Sequence, residues 1–174
     1  MCGNAARPQT EKEHDDFREL CTAVGFVILN WSIAEQQLDN WVNVAFINCE
    51  GKTLRKNGDV PRSFKQKTDF FSRCLRNLSK LHSFRSEGKL LIARLQKAAH
   101  LRNSLVHGGI VSLEHVDGAY QFRRLGYEKE NHSVEYFTFS PSDFSNLEAE
   151  LGNLIAEQIV FSQKLADTFL TSSS

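Results

Sequence analysis

One stretch of the chain combines an arginine, an amide and a histidine within about one and a half helical turns and then breaks the helix with paired glycines: Leu101-Arg102-Asn103-Ser104-Leu105-Val106-His107-Gly108-Gly109. An imidazole titrates near neutral pH and can take or give a proton. A guanidinium keeps its charge and grips a phosphate with two parallel hydrogen bonds. Together they are the parts that metal-free RNA cleavage needs. The histidine moves a proton at the 2′-hydroxyl or at the leaving oxygen, and the arginine steadies the charge that grows on phosphorus. In an unbroken helix, residues five apart lie about 140° around the axis and roughly 7.5 Å along it, so Arg102 and His107 would diverge while Asn103 and His107 share a face. A helix ending near Val106, as Gly108 suggests, lets His107 turn back toward Arg102. A structural reading stays open beside this one: Arg102 pairs with Glu35, and His107 sits on the carbonyls of the helix C-terminus, where a cation is welcome.

The elements that must position these groups follow from periodicity. From Glu11 the pattern is helical, with Phe17, Leu20, Val24, Ile28, Trp31, Leu38, Val42 and Ala45 spaced by threes, fours and one seven. At the interruption the position due to be apolar is Glu35, with Ala34 on the adjoining row. Gly25 either kinks this helix or permits close packing. Residues 48–58 have loop composition, and Pro61 opens a basic helix that runs to about Leu78, with Phe64, Thr68, Phe71, Leu75 and Leu78 facing one way. A link over residues 82–87 leads to the helix that carries Leu91, Leu95, Ala98, Arg102 and Leu105 on one row. After Gly109 the period changes from 3.6 toward 2. Residues 110–116 and 119–125 flank Asp117-Gly118, a two-residue hairpin signal, and 133–139 forms a third strand after the polar loop 128–132. Ser140-Pro141-Ser142-Asp143 then caps a last helix whose wide apolar face runs from Phe144 to Phe169. The fold expected is all-α: a single helical domain over residues 11–170, a bundle of about four helices with a small β-hairpin insertion before the last, between frayed tails at 1–10 and 171–174.

Composition narrows the classes. At 174 residues, 41% hydrophobic and 24% charged with thirteen Phe, the chain is globular rather than disordered. It has no uninterrupted apolar run of the length that crosses a membrane and no apolar signal core at its start, so the expectation is a cytoplasmic protein without a membrane. Cys2, Cys21, Cys49 and Cys74 lack the spacing of a zinc or redox pair and read as free, mostly buried thiols. The zero net charge conceals a segregation. Residues 52–102 carry fourteen basic and three acidic side chains, a surplus of eleven, while residues 1–51 carry three and eight. Either this segment tracks a polyanion, or it is a solvated face that pairs with acidic neighbours. Neutrality overall argues against indiscriminate nucleic-acid binding, because no long-range field draws the polymer in.

Leu101-Arg102-Asn103-Ser104-Leu105-Val106-His107-Gly108 resembles the signature of the HEPN (higher eukaryotes and prokaryotes nucleotide-binding) superfamily, in which an Arg, a polar residue directly after it and a His are set four to six positions apart. Trp31-Ser32-Ile33-Ala34-Glu35-Gln36-Gln37-Leu38 is similar to the first-helix pattern of HEPN-like families, with its acid at Glu35. The resemblance spans residues 15–170. It implies an all-α domain that forms a homodimer, with the two signatures facing each other in one composite site. It also implies a metal-independent endoribonuclease of toxin or antiphage type, acting on RNA, often beside a nucleotidyltransferase-type partner protein. Some members keep the fold as non-catalytic interaction or nucleotide-binding modules. By this resemblance Arg102 and His107 are catalytic, Asn103 positions them and Glu35 orients Arg102.

Other signals point to no cofactor. The chain has no Walker or Rossmann glycine pattern, and its remaining histidines, His14, His82, His100, His115 and His132, show no paired metal spacing. Met1-Cys2-Gly3 resembles the start of amidotransferases with an N-terminal cysteine, but a polar helix follows where strands should. Trp31 and Trp41, at helical spacing, read as core.

Overall fold

A computed structural model describes residues 8–55, 58–116, 118–128 and 131–170. Four α-helices and one small sheet follow in order: α1 Glu11–Ile47, α2 Phe64–Asn77, α3 Arg85–His107, then β1 Gly109–Val116, β2 Ala119–Glu128 and β3 Asn131–Phe139, and finally α4 Pro141–Phe169. Short 3-10 turns occupy Gly51–Leu54 and Ser79–Phe84. The architecture is the helical bundle with a β insertion that the periodicity predicts. The insertion has three antiparallel strands in the order β1-β2-β3. Of the turn at Asp117-Gly118, Gly118 adopts a φ of 77°, which favours glycine, and Asp117 lies outside the described residues. The same is true of Lys129 and Glu130 in the polar loop, of residues 56 and 57, and of the tails at 1–7 and 171–174.

Two compact units form, each from separate stretches of chain. One comprises Met1–Leu29 with Ala98–Glu150, and the other Asn30–Lys97 with Leu151–Ser174. The second is built on aromatic packing. Trp41, fully buried, meets Phe161 edge-on at 4.9 Å and Phe71 at 5.6 Å, and Phe84 stands edge-on to Phe161 at 5.8 Å. Such pairs add about 0.5–1.5 kcal/mol each beyond the area they bury. Here the buried row of α1 runs through Trp31, Ala34, Leu38, Trp41 and Ala45. The apolar interruption at Glu35 is thereby resolved, because the adjoining residue Ala34 takes the core position and Glu35 lies at its edge. Helix α2 begins at Phe64, later than Pro61, because Ser63 supplies the cap by accepting from the Gln66 amide. Gln158 is the polar residue that pattern reading passes over. Fully buried, it donates through Nε2 to the Ala34 carbonyl at 3.1 Å.

In the first unit, Leu20 and Val27 of α1 are buried, whereas Ile28 of the expected row is exposed. At Gly25 an added Cβ would meet nothing within 4 Å, so close packing does not explain that glycine. Strand β2 alternates: Tyr120 and Phe122 are buried and Arg123 exposed. Tyr120 and Phe122 lie opposite Phe139 and Phe137 of β3, and Arg124 lies opposite Glu135. Phe122 stacks on Phe137 with centroids 5.4 Å apart, and Tyr120 donates its hydroxyl to the Asp16 carbonyl at 3.0 Å. Burial pushes that phenol up to about 12. On the other face of the sheet Leu125, Val134 and Tyr136 are exposed. Helix α4 starts in this unit with a reciprocal capping box. The Ser140 amide donates to Asp143 Oδ2 at 2.8 Å, and the Asp143 amide donates to Ser140 Oγ at 3.2 Å.

Among the described residues one helix, α1, is long and apolar enough to cross a membrane by length and composition alone, with an 18-residue window of mean hydropathy 1.2. The core helix of a soluble protein passes the same test.

Candidate functional site

The last turns of α3 carry the chemistry. Helical spacing sets His100, Asn103, Ser104 and His107 at i, i+3, i+4 and i+7, which is one continuous face. His107 is the final helical residue, so α3 ends at the glycine pair, one residue past Val106. The imidazole and the Arg102 backbone therefore keep the wide angular separation of residues five apart. The guanidinium closes part of that gap by itself. Arg102 Nη1 donates to Asn103 Oδ1 at 2.9 Å, which turns the fork toward the face that Asn103 shares with His107. Arg102 is half-buried with its Nε covered, while Asn103 and His107 are exposed. The His107 side chain has no hydrogen-bond partner among the described residues. It is thus not engaged by the carbonyls at the helix end.

Gly108 holds this end in place through space rather than through dihedral freedom. Its φ is not positive, but a Cβ there would lie 2.5 Å from the Ser104 carbonyl oxygen and 2.7 Å from the Phe137 ring. A side chain would push the helix terminus off the sheet. Only a residue without a Cβ lets α3 pass directly into β1 against Phe137.

A second arginine, missed in the sequence, approaches the same turn. Arg124 Nη2 pairs with Glu135 Oε2 at 2.6 Å across the strands, and Nη1 donates to Ser104 Oγ at 3.4 Å. The signal was the alternation Tyr120, Phe122, Arg124, which places a cation on the strand's inward face.

Glu35 stands in the other unit with partners of its own. It accepts from Trp31 Nε1 at 3.2 Å and from Lys67 Nζ at 3.5 Å, and Lys67 also pairs with Asp39 at 2.6 Å. Lys67 is nearly buried, so the three charges form a screened cluster rather than a loose surface pair.

The basic segment 52–102 is tied down at many points. Lys65, Lys67, Lys80 and Arg94 each pair with a carboxylate, namely Asp69, Glu35 and Asp39, Glu50, and Glu157. Arg55, Arg73 and Arg85 donate to backbone carbonyls. The Lys80 hydrogen bond holds the Glu50 carboxyl below its usual range. These seven cations of the segment have partners within the chain, several of them at the surface.

The cysteines supply no nucleophile in the core. Cys49 and Cys74 are buried, which pushes their thiols up to about 11 and about 12 and keeps them protonated. Cys21 is exposed, so two of the three described thiols are buried, and Cys2 lies outside the described residues. Among the described residues no group of three or more His, Cys, Asp or Glu side chains is placed to hold a metal ion.

A helical bundle with a β insertion, carrying a polar face at the end of α3, is what fold and site define. Comparisons of the chain with protein-family models, curated proteins and solved structures return no match.

Proposed function

We propose that the protein is a metal-independent endoribonuclease of HEPN type, cytoplasmic and homodimeric, of the kind that serves toxin or antiphage systems. The observation that carries this reading is the end of α3, where His107 is exposed at the last helical residue and Arg102 is turned by Asn103 toward the same face. His107 serves as the proton-transfer group at the 2′-hydroxyl or the leaving oxygen. Arg102 neutralises the phosphorane-like charge, with Asn103 setting the direction of its fork. Because the two residues lie five apart on one helix, their backbones diverge and a single chain does not set the imidazole and the guanidinium face to face. A second copy completes the site by bringing its own Arg102 and His107 to the same phosphodiester. Glu35 has no step in this account.

The test is cleavage of single-stranded RNA by purified protein in EDTA, read beside sedimentation. Cutting by a dimer supports the proposal, and an intact RNA after long incubation sinks it.

A second reading has its own support in the paired cations of residues 52–102, which leave less free positive charge for an RNA track. Here the protein is a non-catalytic interaction or nucleotide-binding module, and the polar cluster of α3 joins two copies or a nucleotidyltransferase-type partner. Arg102→Ala then splits the dimer or lowers the melting temperature, with no RNA cut by either form.

A further inference from the structure

A cavity of about 440 Å3 opens beside the α3 stripe and has no part in the steps above. Its α3 wall is formed by His100 and Ser104, which belong to the same face as Asn103 and His107. Phe137 of β3 lines it as well, and this ring is also the group that Gly108, next after His107, packs against. Opposite stand Asp143, Asn146 and Glu150 of α4, at the i, i+3 and i+7 spacing that gives one helix face.

The lining holds two carboxylates and neither a lysine nor an arginine, so a phosphate is repelled from it and stays with Arg102. What it offers is the Phe137 ring and, among its polar groups, carboxylate oxygens that accept hydrogen bonds. Asp143 uses Oδ2 for the cap of α4, which leaves Oδ1 without a partner among the described residues. A flat ring bearing amino donors fits this chemistry. Single-stranded RNA supplies such rings, because its unstacked bases dock on aromatic side chains and are read along their edges.

We propose that the cavity takes the base of the nucleotide next to the cleaved phosphodiester and selects bases with an exocyclic amino group over uracil. The identity of this ligand rests on the ribonuclease reading. The discriminating contact is amino to carboxylate. Cytosine presents a donor at position 4, as an acidic side chain requires, whereas uracil turns a carbonyl oxygen toward the same carboxylates. Left facing an acceptor, that carboxylate loses its water without gaining a bond.

Cytidine 5′-monophosphate and uridine 5′-monophosphate differ at this one position, and titrating the full chain with each by NMR tests the proposal. Cytidine monophosphate is expected to bind at least about tenfold more tightly, a difference of about 1.4 kcal/mol, with shifts centred on the amides around Ser104 and Asn146. Glu150→Gln, which removes a charge and keeps the shape, should shrink the preference severalfold. Equal affinities, no saturable binding of either, shifts centred elsewhere, or an undiminished preference in Glu150→Gln each overturn it. Selective binding by a protein that cuts no RNA would remove the ribonuclease and keep the base pocket. Cutting without selectivity does the reverse.

Discussion

Two regions of the molecule, one in each compact unit, use their polar residues differently. In the unit of Asn30–Lys97 and Leu151–Ser174, polar groups close on one another: Lys67 between Glu35 and Asp39, Lys164 on Glu87, and Trp41 Nε1 donating to Ser162 Oγ, whose hydroxyl donates to Gln37. In the unit of Met1–Leu29 and Ala98–Glu150, the last turns of α3 instead present Asn103 and His107 to solvent, with Arg102 directed toward them. Satisfied groups around an aromatic core serve stability. Groups of complementary chemistry presented along one helix end can meet a ligand. Glu35 shows why the distinction matters: an acid in a suggestive sequence pattern proves to be part of a closed cluster with Lys67 and Trp31.

Substitutions in the two units should therefore separate stability from activity. The largest effect on folding is expected from Trp41→Ala, which empties the aromatic centre formed with Phe71 and Phe161 and should cost about 3–5 kcal/mol in chemical denaturation. A loss under 1 kcal/mol would mean that this cluster is not the core it resembles. Next comes Gly108→Ala. The added methyl meets the Ser104 carbonyl and the Phe137 ring, so about 1–3 kcal/mol is expected from displaced packing, together with loss of RNA cleavage as His107 shifts. Unchanged stability and rate in this variant would show that the helix end is not fixed by the sheet.

Much of the fold was legible because its periodicities are strong. The change from period 3.6 to 2 at Gly109, the capping residues before α4 and the aromatic face of Trp41 are all local signals. What stayed hidden depends on partners distant in sequence. Gln158 reads as a surface residue until its bond to the Ala34 carbonyl is seen, and Arg124 reads as an ordinary strand cation until β3 and Ser104 are placed beside it. Gly108 reads in the sequence as a helix stop, while its absent side chain answers to the Phe137 ring on β3, far along the chain. The candidate site itself was readable as three residue types at a helix end, whereas the direction of the Arg102 fork was not.

Smaller effects sharpen the contrast. Ser140→Ala removes one half of the α4 cap and should lower stability by about 1 kcal/mol. Asp143 supplies the other half. Its hydrogen bonds from Ser140 hold the carboxyl below the usual 3.8, so the cap contributes above that value and is lost as pH falls through the lower folded value. Thermal unfolding followed from pH 6 toward pH 2 should show this loss in the parent chain and not in Asp143→Asn; identical profiles would rule the cap out as the acid-sensitive element. Least perturbing is thiol labelling. In Cys2→Ser protein, Cys21 should react promptly while Cys49 and Cys74 react only on unfolding, since their raised, buried thiols stay protonated. Rapid labelling of all three would mean that the core opens easily.

The central claim, that the end of α3 acts on RNA rather than serving the fold, is tested most directly by the rate of single-stranded RNA cleavage in EDTA for His107→Ala beside the parent protein. The account predicts a loss of at least about a hundredfold, with a melting temperature unchanged because the side chain is exposed. An undiminished rate, or no cleavage by the parent protein at all, would contradict it.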